Sequence, residues 1–207
     1  MIKTAYLDSI VSRETSKKIE KYCDFLIEYN KNLNLISKST EDIIMNRHIE
    51  DSAQLLKYIN IEDSNILDIG SGAGFPGIVM YIIKKDLNIN FKLDIVEKSS
   101  KKCTYLQELC KFLEIDVAIH NHDVKNLKKK DYTTLVSRAF KPLDSFLNIL
   151  DMSNINFNKI LLLKGQSYNI EIDEAKKHWE INCDTHESVT NPGSKVLVIN
   201  SVKKIQI

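Results

Sequence analysis

Apolar positions fall into two regimes along the chain. Over the first 60 or so residues they keep a helical spacing: Ile19, Tyr22, Cys23, Leu26, Asn30 and Leu33 recur every third or fourth place, with Lys17, Lys18, Glu20, Lys21 and Glu28 between them. Ser12 is placed to cap that helix, and Asn32 to Lys38 break the pattern. A second helix is expected from Ser39 or Thr40, where Glu41 and Asp42 suit a positive N-terminal end. It carries Ile43, Ile44, Ile49, Leu55, Leu56 and Ile59.

From Asn65 the pattern alternates. Strand-like runs at 65–69, 91–97, 116–120, 134–138 and 159–164 are separated by helix-like runs at 76–85, 99–113, 142–151 and 171–178. This βαβα order predicts an α/β fold with a doubly wound, mostly parallel sheet. Two final runs, 179–187 and 195–204, flank the turn signal Asn191-Pro192-Gly193 and predict a closing antiparallel hairpin. The expected division is an N-terminal helical cap over 1–62, packed on a sheet domain over 63–207. Internal repeats and low-complexity linkers are absent from the sequence.

Composition changes this picture little. With 207 residues, 43% hydrophobic and 28% charged, the chain has material for one sizeable core. A net charge of +1 gives no global basic field, so any nucleic-acid contact must come from a local patch. The four cysteines, Cys23, Cys103, Cys110 and Cys183, form no C-x-x-C pair, which points to reduced thiols in a cytoplasmic protein and to no metal. No signal-peptide pattern and no run of about 18 apolar residues suggests export or a membrane span.

The chemistry concentrates at 66–77, Ile-Leu-Asp-Ile-Gly-Ser-Gly-Ala-Gly-Phe-Pro-Gly. A buried strand runs into a turn where Gly70, Gly72 and Gly74 let the backbone bend tightly, and Pro76 suits the first turn of the helix that follows. Such a junction lets a nucleotide-like ligand lie close to the backbone. Gly72 to Gly77 also matches G-x-G-x-x-G, the dinucleotide fingerprint. Asp68, ahead of the first glycine, would repel a pyrophosphate. It suits a cationic sulfonium such as S-adenosylmethionine, or else it is a carboxylate that caps the helix. Glu97, ending the second strand, is placed to accept ribose hydroxyls, or is a solvated strand end. No Gly-Lys-Ser/Thr follows the loop, which excludes phosphate-loop chemistry.

Further segments stand at 29–35 (Tyr-Asn-Lys-Asn-Leu-Asn-Leu), 47–52 (Arg-His-Ile-Glu-Asp-Ser), 136–140 (Val-Ser-Arg-Ala-Phe) and 163–166 (Leu-Lys-Gly-Gln). In this order, with the glycine loop, the chain resembles the bacterial ribosomal RNA small subunit methyltransferase G family, also called glucose-inhibited division protein B, from about residue 20 to about residue 170. The resemblance implies a Rossmann-like class I methyltransferase fold. It also implies methyl transfer from S-adenosylmethionine to N7 of one guanosine in the 530 loop of 16S ribosomal RNA, with the small ribosomal subunit as partner. It places cofactor contacts on Gly70, Phe75, Val124, Lys125 and Arg138. Asp68, Gly72, Gly74 and Glu97 join them from the loop argument. The family often has Ala-Glu where this chain has Val124-Lys125, and Asp123 just before is then the candidate to take over the carboxylate by a one-residue shift.

Arg138, at a strand end, is a surface charge, a partner for the cofactor carboxylate or an RNA phosphate contact, and it is the one candidate for a catalytic role. Arg47, His48 and Asp51 share a helical face and read either as part of a substrate pocket or as a polar tie between cap and sheet. Lys164 reads as an RNA contact or a carbonyl-capping lysine. Lys98, Lys101 and Lys102, with Lys125, Lys128, Lys129 and Lys130, are candidate phosphate contacts. Guanine N7 carries a lone pair and no proton, so no general base is expected. Cys103 and Cys110, seven apart, read as the buried face of a helix. A monomer is expected. The competing functions are a methyltransferase of another substrate, a non-catalytic ribosome-assembly binder, and, trailing, a nicotinamide enzyme.

Overall fold

The computed structural model describes residues 5–128 and 130–206. A seven-stranded sheet has the order β3-β2-β1-β4-β5-β7-β6. Its strands are β1 (Asn65–Ile69), β2 (Lys92–Val96), β3 (Ala118–His120), β4 (Lys130–Arg138), β5 (Ile155–Lys164), β6 (Trp179–Glu187) and β7 (Lys195–Lys204). The first five are mutually parallel, while β7 runs antiparallel to both β5 and β6. The mostly parallel sheet and the closing hairpin are as the sequence predicts. β1 pairs with β2 on one side and with β4 on the other, so chain direction across the sheet reverses there, and clefts open beyond the carboxyl ends of such strands.

Helices cover both faces. Preceding β1 are α1 (Ala5–Asp8), α2 (Arg13–Leu33) and α3 (Asp51–Ala53); α4 (Gly77–Ile83), α5 (Ser100–Phe112), α6 (Leu143–Asp151) and α7 (Tyr168–Ala175) follow it. β1 shows how the sequence divides the core. Ile66 packs with α2, α4 and α5 residues such as Leu26, Met80 and Leu106, whereas Leu67 and Ile69, pointing the other way, pack with Phe146 and Leu147 of α6. Asp68 shares the face of Ile66 and so points at α4. Cys103 and Cys110 lie on the buried side of α5, as their spacing predicts.

In α2, Ser12 accepts from the Thr15 N–H as the predicted N-cap, and Asn34 ends the helix in the left-handed region at φ 48°. The second predicted helix is replaced by a broken one. A 3-10 turn over Lys38–Thr40 leads to a π-helical turn over Met45–Glu50, then to α3 and a 3-10 turn over Gln54–Tyr58. Side chains compete with the backbone here: Ser52 Oγ donates to the His48 carbonyl at 2.6 Å and Gln54 Nε2 to the Asp51 carbonyl at 2.9 Å. Ile43, expected on the apolar face, is exposed. α7 begins three residues before the predicted 171, and β4 and β5 each begin four residues before theirs.

Candidate active site

Beyond β1, Gly70, Gly72 and Gly74 have φ of 71°, 60° and 104°, a region that L side chains rarely adopt. The turn is closed from behind by Asp68, whose Oδ2 accepts from Ser71 Oγ at 2.6 Å and from the Gly77 N–H at 2.8 Å. The acid is fully buried and its Oδ1 has no partner. Burial pushes its carboxyl up to about 7, against the pull of the Ser71 and Gly77 hydrogen bonds. Of the two readings of Asp68, the geometry displays the helix cap: the carboxylate ties the end of β1 to the start of α4. A Cβ on Gly77 would sit 2.7 Å from that oxygen, so the clasp needs glycine there.

The middle of the loop is held by two helices. Tyr22 of α2 and Tyr105 of α5 both donate to the Ala73 carbonyl, at 2.7 and 3.2 Å. Phe75 is buried, stacked on His48 at a centroid distance of 5.0 Å and a 9° interplanar angle. The Arg138 guanidinium lies 4.7 Å from the same ring. Glu97, at the end of β2, accepts from Gly72 N–H at 3.2 Å and from Ser99 N–H at 2.9 Å, so it is tied to the loop rather than free in solvent.

Two cavities open at this edge. One, of about 520 Å³, is walled by Gly70, Glu97, Lys102, Asp123, Val124 and Lys125. Asp123 caps the short turn over Val124–Asn126 by accepting from the Lys125 N–H at 3.1 Å. The other, of about 540 Å³, is walled by Arg47, His48, Asp51, Arg138, Lys164 and Ser194. Ala139, Phe140 and Lys141 belong to both walls. The predicted site residues thus separate into two groups, with Gly70, Glu97, Asp123, Val124 and Lys125 on one side and Arg47, His48, Arg138 and Lys164 on the other. Asp68, Gly74 and Phe75 stand behind the loop and line neither cavity. Gly72 turns its open side outward, where a Cβ would meet no atom closer than 4.0 Å.

The second cavity is a polar network. Arg138 Nη1 donates to the Arg47 carbonyl at 3.1 Å and lies 3.6 Å from Asp51 Oδ2. Asp51 Oδ1 accepts from Gln54 and from Thr190, both at 2.9 Å, which joins α3 to the loop between β6 and β7. His48 Nε2 is 2.9 Å from Thr40 Oγ1, and that hydroxyl donates to the Ser37 carbonyl at 2.8 Å, so His48 is the donor and carries its proton on Nε2. Burial, then Arg138 and Arg47, lower its pKa to about 3, leaving a neutral ring at neutral pH. Lys164 is buried. Its ammonium donates to the Lys141 carbonyl at 2.6 Å and to Glu171 at 2.7 Å, the carbonyl-capping alternative. Lys130 pairs with Asp94, while Lys129 lies outside the described residues. Asp51, Phe140 and Ser194 are wall residues to which the sequence alone assigns no role or an open one. Phe140 stands in the Val-Ser-Arg-Ala-Phe segment, two places after Arg138, and that proximity is the available signal.

Among the described residues, no group of His, Cys, Asp or Glu is placed to hold a metal ion, and no helix is long and apolar enough to cross a membrane.

The fold is similar to solved methyltransferases. It matches magnesium protoporphyrin IX methyltransferase from Synechocystis PCC 6803 at a TM-score of 0.58 and 13% identity, over 87% of this chain and 97% of that one. A SAM-dependent methyltransferase from Aquifex aeolicus matches at 0.53 and 14% identity, over 77% and 92%. In sequence, the ribosomal RNA small subunit methyltransferase G of Rickettsia prowazekii (strain Madrid E) is 36% identical over 94% of this chain and 98% of its own length. That of Pelagibacter ubique (strain HTCC1062) is 30% identical over 94% and 92%. Residues 15–198 match the family described as rRNA small subunit methyltransferase G, and the chain belongs to that family.

Proposed function

We propose that this protein transfers a methyl group from S-adenosylmethionine to N7 of a guanosine in the 530 loop of 16S ribosomal RNA. It acts as a cytoplasmic monomer on the small ribosomal subunit, and the N-terminal part up to residue 62, of which residues 5–62 are described, is a helical cap packed on the sheet domain that begins at 63. The observation that carries this reading is the pair of adjoining cavities at the carboxyl edge of the sheet, one beside the acid–glycine loop and one under the cap.

The first cavity fits the cofactor. Glu97 spends one lone pair of each oxygen on a backbone amide, which leaves capacity for the two hydroxyls of a ribose. Val124 gives an apolar wall for adenine, Asp123 and the backbone beside it give polar edges, and Gly70 allows close approach. Arg138, bonded to Arg47 and near Asp51, lines the second cavity next to the shared wall residue Ala139, where it can meet a carboxylate or a phosphate.

Held by Gly70, Glu97, Asp123 and Val124, S-adenosylmethionine would supply an electrophilic methyl on sulfur for the N7 lone pair, with the sulfur keeping the C–S pair and the base left cationic. The chain has no proton to remove from N7, so the weak basicity of His48, with its pKa lowered to about 3, does not hinder the reaction. Its work is alignment and exclusion of water. The Asp51 carboxylate, in the wall of the second cavity beside Arg138, offsets part of the positive charge there that would otherwise oppose a cationic base. Lys98, Lys102 and Lys125, around the first cavity, supply salt-sensitive phosphate contacts.

The test is transfer of labelled methyl to small subunits from cells lacking the enzyme, followed by mapping of the modified base. Label at N7 of one guanosine in the 530 loop is expected. Cofactor binding without transfer to 16S RNA would overturn the assignment.

A further inference from the structure

Phe140 belongs to the walls of both cavities. Its ring rests on Gly70: a Cβ built there would lie 2.3 Å from Cδ2, 2.8 Å from Cε2 and 3.0 Å from Cγ. Gly70 is where the end of β1 brings backbone to the first cavity, and the ring occupies the side of it that a Cβ would take. A second contact steadies it, an edge-on packing against Phe146 of α6 at 6.3 Å and 83°.

The chain on either side of the ring is anchored. Arg138, two residues before, is tied to the Arg47 carbonyl. Just after, the Lys141 carbonyl accepts from Lys164 and the Leu143 N–H donates to Glu171 at 2.9 Å. Only Ala139 and Phe140 lie between the anchors, and Ala139 sits in the left-handed region at φ 50°, an uncommon place for an alanine. A two-residue hinge in a disfavoured conformation, carrying a half-buried aromatic ring, can swing at the cost of its edge contact with Phe146 while the backbones of β4 and α6 stay anchored.

We propose that Phe140 is a self-occluding positioning residue, whose ring on Gly70 closes the passage between the two cavities and has to leave before cofactor and base can meet. The proposal rests on the cofactor reading given above. It makes the ring a competitor of the cofactor for the Gly70 backbone. Apparent affinity is then reduced by the fraction of molecules with the ring in place.

Calorimetric binding of S-adenosylhomocysteine to the wild type, Phe140→Ala and Phe140→Leu tests this, with thermal melts confirming that each is folded. Removing an ordinary wall residue weakens binding. Removing the occluding ring makes it tighter, by roughly fivefold for Phe140→Ala and less for Phe140→Leu if the closed arrangement dominates. On the otherwise intact chain, Phe140→4-fluorophenylalanine gives a fluorine resonance that must shift on saturation with S-adenosylhomocysteine. A wild type that fails to bind overturns the cofactor reading and this proposal with it. A wild type that binds, with Phe140→Ala no tighter or with an unmoved fluorine resonance, overturns this proposal alone.

Discussion

The carboxylate of Asp68 and the backbone N–H of Gly77 are 2.8 Å apart, joining the end of a strand to the first turn of a helix nine residues later. The bond is made inside the protein, and the other oxygen of the same carboxylate has no partner. The acid that in sequence advertises a cationic ligand is, in the fold, first a clasp of the glycine loop.

That burial has a pH signature. The folded carboxyl is raised from the usual 3.8 to about 7, so between these values the folded chain holds a proton that the unfolded chain has lost. Stability therefore falls as pH climbs through this window, by on the order of 4 kcal/mol at the limit for this one group. Urea midpoints at pH 5 and pH 8 measure it. Asp68→Asn, which keeps an acceptor for Gly77 but cannot ionise, is expected to lose distinctly less stability between the two pH values than the wild type. An equal loss would show that Asp68 does not titrate there.

The two phenols on Ala73 make a redundant pair. Tyr22→Phe leaves Tyr105 on the carbonyl, and the reverse holds for Tyr105→Phe, so each single change is expected to cost about 0.5–1.5 kcal/mol. The double change strands a buried carbonyl and is expected to cost more than the sum, with coupling near 1 kcal/mol in a denaturation cycle. Strict additivity would mean that water replaces the phenols.

Much of the sheet is legible in the sequence because its strands are short apolar runs between turn residues. The beginnings of β4 and β5 escape that pattern because Lys130-Asp131, Asn156 and Asn158 interrupt it, although Tyr132 and Ile155 on the same stretch are buried in the core. The broken second helix is invisible in the sequence because hydroxyl and amide side chains, not apolar periodicity, reset its hydrogen bonds. In the site, the glycine loop and the strand-end Glu97 are readable locally. The packing of Phe75 is not, since its partners His48 and Arg138 come from elements far away in sequence. Lys164 reaches the rim as its strand-end position predicts, but its choice of the Lys141 carbonyl and Glu171 depends on how α6 and α7 meet β5.

Arg138 joins three things at once: the Phe75 ring, the Arg47 carbonyl and the Asp51 carboxylate. A lysine is a point charge without the planar fork, so Arg138→Lys cannot satisfy ring and carbonyl together. It is expected to cost about 2 kcal/mol and to loosen the 45–53 segment, seen as faster hydrogen exchange at its amides with β5 and β7 unchanged. Uniform protection across the chain would show that this segment does not depend on the arginine.

Lys164 and Glu171 form the other buried tie, and their geometry separates charge from packing. Lys164→Met removes the ammonium but keeps most of the stem volume. It leaves Glu171 with the Leu143 N–H and Ser167 as partners, and the Lys141 carbonyl without its donor. Because Lys164 is almost wholly buried while Glu171 is partly exposed, the carboxylate can recover water, and a loss of about 2 kcal/mol is expected. Glu171→Met strands a buried ammonium instead and should cost more. If the two act as a pair, the double variant is expected to lie closer to the wild type than Glu171→Met alone, with a coupling of about 1–3 kcal/mol in guanidinium denaturation. A double variant as unstable as the sum of the singles would mean that the two do not act as a pair, the lysine being held by the Lys141 carbonyl and Glu171 by the Leu143 N–H independently of each other.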